Sequence, residues 1–213
     1  MVSEIDAMYA ETRAETGLAA MSPQVRAAMG KVERHRLVPQ AQAAAAYRNH
    51  PLPIGAGQTI SQPYIVALST DLLNPKPSDV VLDVGTGSGY QAAVLAEIAS
   101  QVLSIEIVPS LADEARKRLG ELGYRNIEVR IGDGYAGWPD KAPFDAIVVT
   151  AAAPRLPAAL VEQLKPGGRM VIPLGGEGAI QYLVVVTRRA DGGYDERRII
   201  PVRFVPLVPG RAR

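Results

Sequence analysis

Val80-Val-Leu-Asp-Val-Gly-Thr-Gly-Ser-Gly-Tyr-Gln-Ala-Ala-Val-Leu-Ala96 is the stretch whose reading decides the fold. Its first five residues, apolar except for Asp83, are rich in β-branched side chains, as a strand buried on both faces requires. Gly85, Gly87 and Gly89 then predict a tight turn, and Tyr90 to Ile98 reads as a helix. Strand, glycine turn and helix form the opening unit of an open α/β sheet that binds a nucleoside cofactor. The glycine spacing narrows the ligand. A dinucleotide fingerprint places glycines at the first, third and sixth positions, the sixth allowing close helix–strand packing. Here the sixth position is Tyr90 and Gly89 is the fifth. Asp83 also stands just before the turn, where its charge would oppose a pyrophosphate. A cationic, hydroxylated ligand suits it better, and S-adenosylmethionine carries an ammonium, a sulfonium and a ribose. A turn that serves only helix–strand packing would not need Asp83 and three glycines together.

Outward from this motif, composition sets bounds. The chain has 213 residues, net charge +1 and no cysteine. That length suits one α/β domain with additions. The expected division is an N-terminal helical and substrate-loop part (1–78), a cofactor-binding core (79–175) and a C-terminal part (176–213). The charge balance leaves no electrostatic footprint for nucleic acid or membrane. No apolar run reaches the length of a membrane span. The N-terminal Met1-Val-Ser-Glu-Ile-Asp6 is acidic and lacks the apolar core of a signal peptide. A cytoplasmic, soluble monomer is the expectation. Lack of cysteine excludes disulfides, thiolate metal sites and cysteine nucleophiles. The two histidines, His35 and His50, have no acidic neighbours suited to ligation, so no metal site is expected.

Before the motif, residues 1–46 read as alanine-rich helix. Ser22-Pro23 is an N-cap followed by proline at the first helical position, and Met21, Val25, Met29 and Val32 form one apolar face. Residues 47–61 read as a long loop punctuated by proline and glycine, and loops of that length are functional or disordered. Leu52, Ile54 and Ile60 argue against disorder. Ser61 precedes the helix of Tyr64 to Leu73. From position alone a helix cap is the preferred role, with a hydroxyl contact to a substrate anion as the alternative.

After the motif, a second strand should end at Glu106, roughly 20 residues past the turn, where a carboxylate reaches ribose hydroxyls. A helix over Pro109 to Leu122 leads to a third strand, Asn126 to Ile131, ending in Gly132-Asp133-Gly134. Asp133 could accept from an adenine amino group or simply form a turn, and both readings stay open. A fourth strand over Phe144 to Thr150 and a helix over Leu156 to Leu164 lead to Lys165-Pro-Gly-Gly168. A fifth strand covers Arg169 to Leu174. Ala190-Asp-Gly-Gly193 predicts a hairpin between two further strands. Fold class is therefore α/β: a doubly wound, mostly parallel sheet with N-terminal helices and a C-terminal antiparallel hairpin.

These residues resemble the protein-L-isoaspartate O-methyltransferase family, a branch of the class I S-adenosylmethionine-dependent methyltransferases. The similarity runs from about Val25 to Leu207. Its most specific part is Tyr47-Arg-Asn-His-Pro-Leu-Pro-Ile-Gly-Ala-Gly-Gln-Thr-Ile-Ser-Gln-Pro63, and Phe204-Val-Pro-Leu207 is also family-like. Val80 to Gly89 and Leu164 to Gly168 are general to the class. The resemblance implies that Ser61 contacts an isoaspartyl carboxylate at the active site. It implies cofactor contacts at Thr59, Asp83, Gly85, Ser88, Gly89, Glu106, Asp133 and Gly134. It implies a peptide groove lined by Ile60, Val205, Pro206 and Leu207, with isoaspartyl peptides and proteins as partners. Two departures stand out. Val208 replaces a polar residue of many relatives, and Val66 replaces a histidine of some. Val32 to Pro39 is a loose version of the family's helix-to-loop segment.

The chemistry so implied needs little machinery. A carboxylate, with a reference pKa of about 4, is already ionised at neutral pH. Methyl transfer from a sulfonium then needs no base, metal or covalent intermediate. Charges cancel along an in-line displacement, so excluding water should help. Holding both reactants can contribute roughly 7–11 kcal/mol. Ser61 would grip the anion as a neutral donor without blunting its attack. By the family's known role, the ester then closes to a succinimide and repair follows. A methyltransferase of nucleic acids or other small molecules is the main alternative. Against it, Thr150-Ala-Ala-Ala-Pro154 stands where base amino-methylases carry Asn/Asp-Pro-Pro-aromatic, and cytosine methylation needs a cysteine. A non-catalytic cofactor-binding module and a nicotinamide enzyme are the remaining alternatives, the last weakened by Tyr90.

Overall fold

The computed structural model describes residues 1–176 and 178–210. Val80–Val84 forms an interior strand, β3, of a seven-stranded sheet. In chain order the strands are β1 (Leu52–Gly55), β2 (Gln58–Ile60), β3, β4 (Gln101–Glu106), β5 (Ile127–Ile131), β6 (Phe144–Val149), β7 (Leu164–Leu174), β8 (Gln181–Arg188) and β9 (Tyr194–Val202). The helices are α1 (Val2–Glu11), α2 (Arg13–Thr16), α3 (Pro23–Lys31), α4 (Pro63–Leu73), α5 (Tyr90–Ala96), α6 (Pro109–Glu121) and α7 (Ala158–Glu162). The large sheet runs β5-β4-β3-β6-β7-β8-β9. β5 through β7 are parallel, and β8 and β9 add antiparallel at one edge. This is the α/β fold read from the sequence, with the antiparallel hairpin where Asp191-Gly-Gly193 placed it.

Successive side chains of a strand point to opposite faces, and the core divides accordingly. Val81, Val102, Val148, Val171 and Val185 face a layer that contains α1, α3, α4, α5 and α6 residues. Leu82, Leu103, Ile147, Met170 and Val186 face the other layer, with Leu160, Val161 and Trp138. Continuous apolar runs in the strands are thus explained by burial on both faces.

The connection from β3 to β4 leaves on one side of β3, while β6 lies on the other. The order of strands therefore reverses beside β3. In open α/β sheets a ligand crevice forms at the carboxyl ends of the strands at such a point.

Several local expectations are corrected. Residues 1–46 are not continuous helix: α3 ends at Lys31, and two 3-10 segments follow at Arg34–Leu37 and Gln40–Ala45. The Ser22 cap is as expected, its hydroxyl accepting from the Val25 amide at 3.3 Å. The long loop before Ser61 contains an antiparallel hairpin, β1–β2, whose turn places Ala56 at φ 49°. Residues Leu156 to Leu164 yield only the short α7, because Leu164 already pairs with Phe144 as the start of β7. Lys165-Pro-Gly-Gly168 lies within β7, where a Cβ on Gly168 would stand 2.8 Å from the Lys165 carbonyl.

Candidate active site

At the carboxyl end of β3 the chain turns through Gly85, Gly87 and Gly89, all at positive φ. Gly85 is the tightest position: a Cβ there would lie 2.5 Å from the Thr150 hydroxyl oxygen. That hydroxyl donates to the Gly85 carbonyl at 2.7 Å and so ties the turn to the end of β6. The Gly85 and Thr86 amides both donate to the Ile105 carbonyl. Glu106, at the end of β4, accepts from the Gly87 amide at 2.8 Å with one oxygen and from Val108 at 2.9 Å with the other. Three strand ends are thus locked around one turn by backbone amides and the Thr150 hydroxyl.

Beneath the turn lies Asp83, fully buried. One oxygen accepts from the Ser104 hydroxyl at 2.7 Å, and the other has no partner among the described residues. Because Ser104 has a single proton and spends it on Asp83, the 2.6 Å contact between Thr86 and Ser104 has Thr86 as donor. Burial pushes the Asp83 carboxyl up to about 7, with Ser104 opposing and the Glu106 charge adding to the rise.

Two lobes open at this end of the sheet. The first is lined by Thr59, Ile60, Ser61, Gly85, Ser88, Glu106, Gly134, Val205, Pro206 and Leu207, among others. Among the described residues, Glu106 is the single formally charged one on that lining. Each Glu106 oxygen keeps a second lone pair for a hydroxyl donor. Gly134 stays open because a Cβ would meet Val84 at 2.6 Å and Leu207 at 3.1 Å. A cleft whose charge is acidic suits a cationic nucleoside such as S-adenosylmethionine, and among the described residues its lining offers no cation to a polyphosphate. The second lobe is lined by Pro51, Gln62, Ile65, Arg203 and Phe204. The two meet at Thr59, Ser61, Thr150 and Val205.

Most of the expected site residues come together here, and some do not. Asp83, expected to contact the cofactor, does not line the cleft, because it is buried beneath the turn. Gly89 packs instead against α6, its missing Cβ leaving room for Leu119 at 3.1 Å. Asp133 turns away from the cleft: its carboxylate accepts from the Tyr135 and Gly210 amides, both at 2.8 Å. It acts as a turn and as a tether for the chain's end. Ser61 is not a helix cap. Gln62 takes that place in α4, and the Asn49 side chain accepts from the Tyr64 amide at 3.0 Å. Ile60, Pro206 and Leu207, expected in the peptide groove, line the first lobe; of that group Val205 alone reaches both lobes. Val66 and Val208 both line the first lobe, as apolar wall. Both histidines lie outside it, His35 against Tyr47 and His50 against the Pro51 carbonyl.

Sequence reasoning missed Thr86, Thr150 and Val108, whose roles depend on strand ends meeting. It also missed Arg34, buried behind Ser61. The terminal segment reaches the cleft by backbone bonds, Ala152 N–H to the Val205 carbonyl at 2.8 Å and Leu207 N–H to the Ala152 carbonyl at 2.7 Å.

Known proteins resemble this chain over nearly its whole length. The family model for protein-L-isoaspartate(D-aspartate) O-methyltransferase matches residues 6–212. A protein-L-isoaspartate O-methyltransferase 2 of Polaromonas sp. is 56% identical over 99% of this chain and 100% of its own. A protein-L-isoaspartate O-methyltransferase 1 of Cupriavidus necator is 57% identical, covering 98% of this chain and 80% of that one. A solved Plasmodium falciparum structure with S-adenosyl-L-homocysteine bound, described as a protein-L-isoaspartate O-methyltransferase, superposes with a TM-score of 0.78 at 26% identity. It covers 97% of this chain and 98% of its own.

Proposed function

Since the chain belongs to the protein-L-isoaspartate(D-aspartate) O-methyltransferase family, it methylates isoaspartyl carboxylates from S-adenosylmethionine, and we propose that Ser61 is where the acceptor docks. One observation carries the placement: Ser61 stands where the two lobes meet, with its hydroxyl oxygen lacking a partner among the described residues. The first lobe takes the methyl donor and the second takes the peptide that carries the acceptor.

Within that reading, Glu106 holds ribose hydroxyls, and Gly85, Ser88 and Gly134 give backbone and hydroxyl contacts at close approach. Thr59, at the junction, faces both ligands. The bound donor supplies an electrophilic methyl group on a positively charged sulfur. Ser61 donates a hydrogen bond to one carboxylate oxygen and leaves the other free to attack along the line of the breaking bond. Val66, Val205 and Leu207 keep water from the path, which matters because water solvates the separated charges better than the neutralised product. No proton moves in this step, since the acceptor is already ionised at neutral pH. Asp83 acts indirectly, holding the turn through Ser104 and Thr86.

Labelled methyl transfer to a synthetic isoaspartyl peptide, measured beside its normal aspartyl twin, tests the substrate. Ser61→Ala should lower kcat/KM for the isoaspartyl peptide by about tenfold, the loss of one hydrogen bond to a charged group, while S-adenosylhomocysteine binds as before. Unchanged kinetics would remove Ser61 from the site.

A further inference from the structure

Arg34 is completely buried, yet no carboxylate pairs with it among the described residues. It begins the 3-10 segment that follows α3. Its Nε donates to the Ala46 carbonyl at 2.8 Å, and one terminal nitrogen donates to the Ser61 carbonyl at 2.7 Å. The other terminal nitrogen has no hydrogen-bond partner among the described residues. Its guanidinium carbon lies 4.6 Å from the centre of the Tyr90 ring. Tyr90 is the first residue of α5 and lines the donor lobe. Its own hydroxyl reaches the Met29 sulfur at 3.6 Å. Burial lowers the Arg34 pKa to about 10, with Tyr90 opposing, so the side chain stays charged at neutral pH.

A buried cation without a counter-charge is costly, and an apolar residue of similar volume would pack the same space more cheaply. What an apolar residue could not do is reach two carbonyls and a ring at once. Arginine's rigid fork suits that task, and lysine's point charge does not. One side chain thereby joins three elements: the segment before the hairpin, the residue at the junction of the lobes, and the floor of the donor lobe.

Building on the Ser61 assignment above, we propose that Arg34 is a positioning residue for methyl transfer. It holds the Ser61 backbone against the Tyr90 ring and so fixes the separation between the acceptor carboxylate and the methyl donor. It lines neither lobe, so its charge does not neutralise the attacking oxygen. A small misplacement of bound reactants is enough to slow such a reaction strongly.

A double-mutant cycle on the full-length protein tests this. Arg34→Lys, Ser61→Ala and the double variant are assayed for kcat and KM with an isoaspartyl peptide. S-adenosylhomocysteine binding is read by calorimetry and folding by thermal melt. Arg34→Lys should lower kcat by about tenfold or more, with cofactor affinity within about threefold of the parent. The double variant should be no slower than Ser61→Ala alone, because Arg34 acts through the residue already truncated. Effects that multiply, or an Arg34→Lys protein with unchanged kcat, would overturn the proposal. If Arg34→Lys fails to fold, Arg34→Gln replaces it in the same cycle, carrying no charge and reaching one carbonyl. Loss of the fold in both would make Arg34 a folding residue and sink the idea. A Ser61→Ala enzyme of normal rate, by contrast, refutes the carboxylate role of Ser61 whatever Arg34 does.

Discussion

Replacing Asp83 by asparagine should change how stability depends on pH, and the size of the change follows from where Asp83 lies. Its carboxyl is 0% exposed and its pKa rises from an ordinary 3.8 to about 7. The cause is first desolvation, then the nearby Glu106 charge, against the Ser104 hydrogen bond. A group whose folded pKa is raised binds its proton more tightly in the native state. Its stabilising contribution is complete below pH 4, where folded and unfolded chains are both protonated. Between about pH 4 and 7 the unfolded chain gives up the proton and the folded one retains it, so stability falls as pH rises. Above 7 both are ionised and the contribution is constant. Roughly three pH units at about 1.4 kcal/mol each give a loss of about 4 kcal/mol across the full window. A practical range starting at pH 4.5 should show about 3 kcal/mol of it. The Asp83→Asn protein has no such proton and should lack this slope. Urea unfolding of both proteins from pH 4.5 to 8.5, followed through the single buried Trp138, gives the comparison. With an m-value of about 2 kcal/mol per molar, the midpoints should diverge by roughly 1.5 M over that range. A stability difference that stays constant within about 0.5 kcal/mol would show that Asp83 is ionised in the native protein and would refute the account.

Two further outcomes test the donor lobe. Gly85→Ala places a methyl group 2.5 Å from the Thr150 oxygen on backbone at φ 101°. The turn must shift, and S-adenosylhomocysteine affinity measured by calorimetry should fall by about tenfold or more, while far-UV circular dichroism stays that of the parent. Glu106→Gln keeps the shape but can accept with one oxygen, orphaning the Gly87 or Val108 amide. The expected cost is about 1–3 kcal/mol in cofactor binding, with the KM for peptide little changed; equal affinity for cofactor would separate Glu106 from the ribose.

The donor half of the site was legible in the sequence because its parts are local. Val80 to Val84 needs burial on both faces, and a turn of three positive-φ residues needs glycine, so strand and turn are written in one short stretch. Glu106 lies at a fixed distance beyond it. The acceptor half was less legible. Its hairpin reads as a loop because β1 and β2 are four and three residues long, too short for alternation to register. Asp133 and Gly89 carry ordinary motif positions, yet their partners, the Gly210 amide and Leu119, are distant in the chain.

By itself, then, the order of residues determined a parallel α/β sheet and a nucleoside cleft at the end of β3, while the carboxylate acceptor came from the resemblance to a family. It could do so because backbone conformation and two-sided burial are properties of neighbouring residues. Which carboxylate faces the cleft and which lies beneath it, and why Ser61 is not a helix cap, were decided only by tertiary structure. So was the presence of an unpaired arginine behind the junction. Desolvation and hydrogen bonding at those points come from strands and segments far apart in the chain, and the distances that set them exist only once the sheet is assembled.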